Sequence, residues 1–360
     1  MRMNDKFWHG KRVLLTGHTG FKGGWLALWL QKKGAEVTGY ALPPAYDENL
    51  FELASVAERM QSVFADIRDL ETLQSVVERS RPEIVFHLAA QPLVRHSYIE
   101  PVETFQVNVL GTVNLLEAVR KSQHCRVVVS VTSDKCYENR EWVWGYRETD
   151  PLGGHDPYSA SKGCAELVNA AYRRSFFAVR DELPVALATA RAGNVIGGGD
   201  FSKDRLVPDI MSSFTHGKPL NIRNPGAVRP WQHVLEPLSG YLLLAEKLWS
   251  HPTDYAQSWN FGPPPEDSRP VHWMVEKLNT CWGEGLSWKV DATPTFHEAH
   301  TLTLDSTKAR VNLGWKTCWS LDQALAAIVG WYKAYLHRES MRDVTLGQIA
   351  AYEAIKDVMT

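Results

Sequence analysis

The feature that most narrows the fold is a junction near the start of the chain. Arg12 to Leu15 is a short apolar run that stops at Thr16-Gly17-His18-Thr19-Gly20-Phe21-Lys22-Gly23, and apolar positions then recur at helical spacing from Gly23 to Lys33. A strand, glycines three apart and a helix opening at once form a backbone that turns tightly and aims a helix N-terminus at an anion. The alternation continues downstream. Ala35 to Ala41 and Ser62 to Ala65 read as strands and Ile67 to Arg79 as a helix. Ile84 to Leu88 is a run of apolar residues around His87, as a strand buried on both faces should be. Val102 to Lys121 reads as a long helix, Arg126 to Val131 as a strand, Asp156 to Arg180 as a second long helix and Val185 to Ala190 as a further strand. Such alternation predicts an α/β fold, a doubly wound, Rossmann-type parallel sheet with helices on both faces.

Beyond Asn194 the texture changes. Gly197-Gly198-Gly199-Asp200 and Arg223-Asn224-Pro225-Gly226 read as loops, Glu236 to Trp249 as an amphipathic helix, and Ser258 to Phe261 as a strand ending at Gly262-Pro263. The 360 residues leave room for about two domains at roughly 150 residues each. The expected division is a dinucleotide-binding domain over 1–196, completed by 228–262. A smaller mixed α/β C-terminal domain, from 197–227 and 263–360, is expected to hold the substrate.

Several classes of function are excluded by composition. Thirty-nine Lys and Arg against 41 Asp and Glu leave a formal charge of −2 with no basic stripe, unlike a general nucleic-acid binder. No apolar run approaches the ~18 residues of a membrane helix. The polar stretch Met1 to Lys11 does not read as a signal peptide, so a cytoplasmic location is expected. The five cysteines (Cys125, Cys136, Cys164, Cys281, Cys318) form no C-x-x-C pair, which argues against a disulfide framework or a zinc ribbon. His297-Glu298-Ala299-His300 misses the H-E-x-x-H spacing by one residue and has no evident third ligand, so no metal is expected.

Three clusters carry chemistry. The glycine loop, Thr16 to Gly23, suits a dinucleotide pyrophosphate. At the end of the second strand, Gly39-Tyr40-Ala41-Leu42-Pro43-Pro44 offers neither the acid that reads an adenosine ribose nor the Arg that accepts an extra phosphate, and the missing Arg points to NAD. Asp66 and Ile67 suit the adenine amine and ring; the alternative is that Asp66 caps a helix. Tyr158 and Lys162 lie four apart at a predicted helix start, so they share a face, and the ammonium is expected to lower the phenol pKa and make a usable base. Ser133-Asp134-Lys135 leaves a buried strand at the carboxyl edge of the sheet, where a hydroxyl, an acid and an amine can polarise an oxygen, donate a proton and remove one. The plain alternative is a polar exit from a strand. Cys136 reads as packed.

With these residues in hand, the chain resembles the extended short-chain dehydrogenase/reductase family over essentially its whole length. The resemblance rests on Thr16 to Gly23, His87-Leu88-Ala89-Ala90, Asn108, Tyr158 with Lys162, and Arg191-Ala192-Gly193-Asn194. Thr132 to Tyr137, Gly193 to Phe201 and Arg229 to Val234 are most similar to the nucleotide-sugar 4,6-dehydratases. That resemblance implies NAD bound by Thr16, Gly17, Thr19, Gly20, Phe21, Lys22, Gly23, Asp66, Ile67, Leu88, Ala89, Ala90, Asn108, Tyr158 and Lys162. It implies CDP-glucose as substrate, with Asn194 on the sugar or its phosphate and Arg205 and Arg229 on the pyrophosphate; the alternative for Arg205 is a surface ion pair. Tyr158 would take the proton of the sugar 4-hydroxyl, Lys162 would hold the ribose, and Ser133 would bond the C4 oxygen. Lys135 would remove the C5 proton and Asp134 would expel the 6-hydroxyl as water. The thymidine-nucleotide members have Glu where this chain has Lys135, and a lysine must shed its proton to act as a base. The family also implies at least a homodimer, or a higher homo-oligomer, paired through the two long helices. A nucleotide-sugar 4-epimerase and a non-catalytic dinucleotide-binding regulator are the competing readings. The first needs no Asp134-Lys135 pair, and the second typically lacks the Tyr or the Lys.

Overall fold

The computed structural model describes residues 5–178, 184–217, 219–283, 285, 287–291 and 301–358. Its centre is a seven-stranded sheet in which every pairing is parallel. In chain order the first six strands are β1 (Arg12–Thr16), β2 (Glu36–Ala41), β3 (Gln61–Phe64), β4 (Ile84–His87), β5 (Val127–Val131) and β6 (Ala186–Arg191); Ser258–Asn260 adds a seventh. Across the sheet they run Ser258–Asn260, β6, β5, β4, β1, β2, β3. The order therefore reverses between β1 and β4, and the loops leaving these two strands diverge to open a crevice above their carboxyl ends. Mostly apolar side chains fill both faces of the middle strands, which is why β4 and β5 read as apolar runs, with His87 and Ser130 the buried polar exceptions.

Strand positions differ from the sequence expectation by one or two residues, and the helices differ where side chains intervene. After a single turn at Asp5–Trp8, the first long helix, Phe21–Lys32, begins before Gly23. The segment expected as a helix from Ile67 begins instead at Leu70, because the Asp69 carboxylate accepts the Thr72 amide at 3.1 Å; Asp69 is the cap, not Asp66. The long helix expected at Val102 to Lys121 runs as Pro101–Phe105, a wide π-type turn over Gln106–Leu110, and Gly111–Lys121. The second long helix covers Pro157–Tyr172 and passes into a similar wide turn at Arg173–Phe177; the end expected at Arg180 lies outside the described residues. His297 to His300 also lie outside them. Among the described residues no three or more His, Cys, Asp or Glu gather as metal ligands, and no helix is long and apolar enough to cross a membrane.

The remainder of the chain is built from short pieces. Val195–Ile196 pairs with Gln232–His233, Leu220–Ile222 with Trp288–Val290, and Val228–Pro230 with Ser268–Pro270. The last two helices, Leu321–Leu336 and Met341–Val358, do not form a core of their own. One apolar cluster runs without a break from Trp8 through the first long helix to Tyr352. The Trp29 indole donates to Glu353 at 2.7 Å, and its ring meets Tyr352 edge-on at 5.8 Å. Gly198 lets the Leu321–Leu336 helix approach closely, since a Cβ there would stand 2.1 Å from the Trp331 ring.

Candidate active site

Above the sheet switch point lies a cleft of about 1030 Å³. Its floor begins with the glycine loop. Gly17 has φ +77°, and a Cβ on it would stand 2.7 Å from the Ala89 amide; a Cβ on Gly23 would fall 2.0 Å from the Gly17 carbonyl oxygen. Both positions are closed to any side chain. Gly20 is the N-cap of the Phe21–Lys32 helix and supplies no capping side chain, and the first turn carries no acid. Backbone donors there are free of side-chain competition, which fits a dinucleotide pyrophosphate.

Gly17, Thr19, Gly20, Phe21, Lys22, Gly23, Asp66, Ile67, Leu88, Ala89 and Ala90 all line the cleft. Thr16 and Asn108 are not among the residues that line it. Thr16 is buried beneath the loop, where its hydroxyl meets His87 Nδ1 at 2.8 Å and accepts the Leu88 and Ala89 amides at 3.1 Å. The Asn108 side chain accepts the Gln91 amide at 2.8 Å and donates to the Gln91 carbonyl and, at 2.9 Å, to Ser161. Both residues hold the lining from behind, and Asn108 is the buried residue of the wide turn at Gln106–Leu110. At the end of β2, Gly39 is required because the His18 ring lies over it, 2.4 Å from a hypothetical Cβ. The Tyr40 hydroxyl turns away to the Asp66 carbonyl at 2.7 Å. The Asp66 carboxylate is held by Arg68 at 2.6 Å.

The reacting groups stand beside this floor. Asp156 accepts the Ser159 amide at 2.9 Å, and Pro157 opens the first turn, so a capped helix start fixes Tyr158 and Lys162 one turn apart. Ser133 caps the short turn Asp134–Cys136; its hydroxyl donates to Asp134 Oδ1 at 3.0 Å and accepts the Lys135 amide at 3.3 Å. Asp134 fits against Gly193, where a Cβ would stand 2.4 Å from its carboxylate, so the glycine of Arg191-Ala192-Gly193-Asn194 makes room for an acid. Ser133, Asp134, Lys135, Tyr158, Lys162, Asn194, Arg205 and Arg229 all face the same cleft.

Burial dominates the electrostatics. It pushes the Tyr158 phenol up to about 12, against the pull of the Ser133 hydroxyl and Arg205 and with Asp134 and Asp156 adding to the rise. Desolvation wins, and the opposing pull comes from Ser133 and Arg205. Burial draws Lys162 down to about 8. Lys22 falls to about 7 through burial and the cations Arg205 and Lys162, with Asp134 opposing. Burial also raises the Asp134 carboxyl, while Lys135, Ser133 and Arg229 hold it down. A raised carboxyl suits a proton donor. Cys136 is buried and its thiol lies well above the ordinary range, so it is no nucleophile. Arg205 lies close enough to Tyr158 and Lys22 to act on both, and its guanidinium contacts Asp200 at 3.1 Å.

A model of the GDP-mannose 4,6 dehydratase family matches residues 14–262. The chain belongs to the GDP-mannose 4,6 dehydratase family. It is 53% identical to the CDP-glucose 4,6-dehydratase of Salmonella typhimurium, over 97% of this chain and 98% of that one. It is 25% identical to a dTDP-glucose 4,6-dehydratase of Xanthomonas campestris, over 89% and 92%. In fold it is similar to dTDP-glucose 4,6-dehydratase from Streptomyces venezuelae, solved with NAD bound (TM-score 0.78, 23% identity, 91% of this chain and 98% of that one). It is equally similar to UDP-glucose 4-epimerase from Thermotoga maritima, solved with UDP-glucose (TM-score 0.77, 22% identity, 90% and 99%).

In this member of the family the cleft also gathers residues that sequence reasoning passed over. Arg95, Tyr46 and Arg223 line it, and Arg95 reaches across its mouth to Asp204 at 2.7 Å. Nothing local marks these positions, since they meet only through folding. Glu166 is different: it follows Tyr158 and Lys162 at the same four-residue spacing, a signal present in the sequence.

Proposed function

We propose that this family member is an NAD-dependent CDP-glucose 4,6-dehydratase, a hydro-lyase that converts the nucleotide-bound glucose to its 4-keto-6-deoxy form and water. The observation that carries the reading is the relative of 53% identity along nearly the whole chain. NAD would rest on the glycine loop and against Asp66, Ile67 and Leu88 to Ala90, and the absence of an Arg at the end of β2 favours it over NADP. Bound there, it supplies a carbon that accepts hydride from sugar C4 and later returns it to C6.

The chain's own residues do the rest. Tyr158 takes the proton of the 4-hydroxyl as the ketone forms, with Ser133 bonding the same oxygen. Lys162, an ammonium below about pH 8, holds the ribose and steadies the phenolate. The ketone acidifies C5–H, Lys135 removes that proton, and Asp134, whose carboxyl is raised by burial, is placed to give one to the departing 6-hydroxyl. Asn194, Arg205 and Arg229 orient the sugar and its diphosphate, for which guanidinium forks are suited. The reading divides the molecule into a dinucleotide part, 1–196 with 228–262, and a substrate part, 197–227 with 263–360.

Val102, Phe105, Leu110, Leu167 and Phe176 expose apolar surface along the two long helices, which supports a homodimer through that face. A cytoplasmic enzyme making precursors for the deoxysugars of surface polysaccharide fits this activity. A 4-epimerase would use Tyr158 and Lys162 but has no use for the Asp134-Lys135 pair. The test is the product mass from the purified chain with NAD and, in turn, CDP-, dTDP-, UDP- and GDP-glucose. Loss of one water from CDP-glucose is expected. An unchanged mass with altered stereochemistry means an epimerase, and turnover of another nucleotide with CDP-glucose inert removes the CDP assignment. Light scattering of the same sample should give twice the chain mass, and a monomer would remove the dimer.

A further inference from the structure

Directly behind the reacting groups lies an ion pair that the chemistry above does not use. Glu166 stands one turn beyond Lys162 on the helix face that also carries Tyr158. Its carboxylate accepts Thr132 Oγ1 at 2.5 Å, Arg191 Nη2 at 2.7 Å, Thr189 Oγ1 at 2.8 Å and Ser258 Oγ at 3.2 Å. Arg191, at the end of β6, donates its other terminal nitrogen to the Tyr137 hydroxyl at 2.6 Å. Tyr137 in turn donates to Asn260 at 2.7 Å. The side chains of the pair are 2% and 3% exposed.

Stability alone is a weak reason for such an arrangement, because a buried ion pair loses several kcal/mol in desolvation and an apolar pair of the same volume often does as well. The partners are more informative. Thr132 immediately precedes Ser133, and Tyr137 immediately follows the Asp134–Cys136 turn, so both ends of the segment that presents Ser133, Asp134 and Lys135 are tied to one pair. The same carboxylate is anchored on the helix of Tyr158 and Lys162.

We propose that Glu166 and Arg191 form a positioning pair, which sets the Ser133–Lys135 turn against the Tyr158–Lys162 turn and places a fixed negative charge behind the Lys162 ammonium. The proposal rests on the dehydratase reading. The charged and titratable groups around Lys162 support it. Tyr158 and Glu166 lie on its own helix, Cys136 on the turn after β5, His87 at the end of β4 and Lys22 on the first long helix. The Cys136 thiol is pushed far up and His87 down to about 3, both by burial, so both are neutral at pH 7. Arg191 and the two threonine hydroxyls keep the Glu166 carboxyl below its ordinary value despite burial. Glu166 is thus the anion that holds the Lys162 pKa up.

The test uses the NAD-loaded enzyme with CDP-glucose and follows both product and the absorbance of the reduced nicotinamide. Glu166→Gln keeps the shape and removes the charge; Lys162 then loses its proton more readily, and the alkaline limb of kcat/KM should move down by about one pH unit. Thr132→Val cuts the tie to the turn. It should lower kcat roughly 10- to 100-fold, with KM within about twofold, and Thr132→Ser should restore it. An unmoved alkaline limb in Glu166→Gln or a native kcat in Thr132→Val overturns the proposal. If Glu166→Gln does not fold, judged by its thermal transition, Thr132→Val decides alone. Failure of the wild-type chain to dehydrate any sugar nucleotide overturns the underlying reading instead, whatever the variants do.

Discussion

On the sheet side of the cleft, Ser133, Asp134, Tyr158 and Lys162 are each at most 8% exposed and stand on the end of a buried strand or on a capped helix. Elsewhere in the lining, Arg95 and Arg205 stand near loops and short elements, and each is matched with an acid from the segment 200–204: Arg205 with Asp200 and Arg95 with Asp204. A third of the Arg205 side chain is exposed. The first wall has its geometry set by packing before anything binds, as preorganised catalysis requires. The second carries cations whose present partners are carboxylates that a diphosphate can replace. Changes on the first wall should therefore appear in kcat, and changes on the second in KM.

Tyr158→Phe tests the comparison most severely. Removing a general base costs about 10²- to 10⁴-fold, so kcat should fall by that much while KM and the thermal midpoint stay near native; a variant with native turnover would dissolve the catalytic wall. Lys135→Ala should separate the two halves of the reaction. Slow reduction of the bound cofactor persists and dehydration fails, as read by nicotinamide absorbance alongside product mass, and unchanged dehydration would take Lys135 out of the chemistry. Arg205→Ala should have the smallest effect on rate. Loss of a charge-assisted hydrogen bond of about 1.5–3 kcal/mol corresponds to roughly a 10- to 150-fold rise in KM, with kcat within a few-fold. An equal loss in kcat would move Arg205 to the catalytic wall, as its closeness to Tyr158 allows.

Much of the sheet was legible because a strand buried on both faces must be mostly apolar along its length, and Ile84 to Leu88 and Arg126 to Val131 have few other uses. Caps and bulges were less so. Asp66 and Asp69 are the same residue type three positions apart, and only the folded backbone decides which one meets the Thr72 amide. Thr16 and Asn108 belong to motifs that surround a dinucleotide, yet both lie one layer behind the lining, a distinction of depth that a linear pattern does not carry. The helices Leu321–Leu336 and Met341–Val358 read as part of a separate domain because amphipathic helices name no partner. Trp29, which donates to Glu353 and meets the Tyr352 ring edge-on, shows that Met341–Val358 packs on the Phe21–Lys32 helix.

By itself the order of residues determined that a helix must open at a glycine turn after a buried strand, and that Tyr158, Lys162 and Glu166 must share one face. These consequences follow from the helical repeat and from sterics within a few residues. Tertiary structure decided how deep each of those side chains lies. It thereby set the Tyr158 phenol high and the Lys162 ammonium low, because the cost of holding a charge depends on how much water the rest of the fold removes.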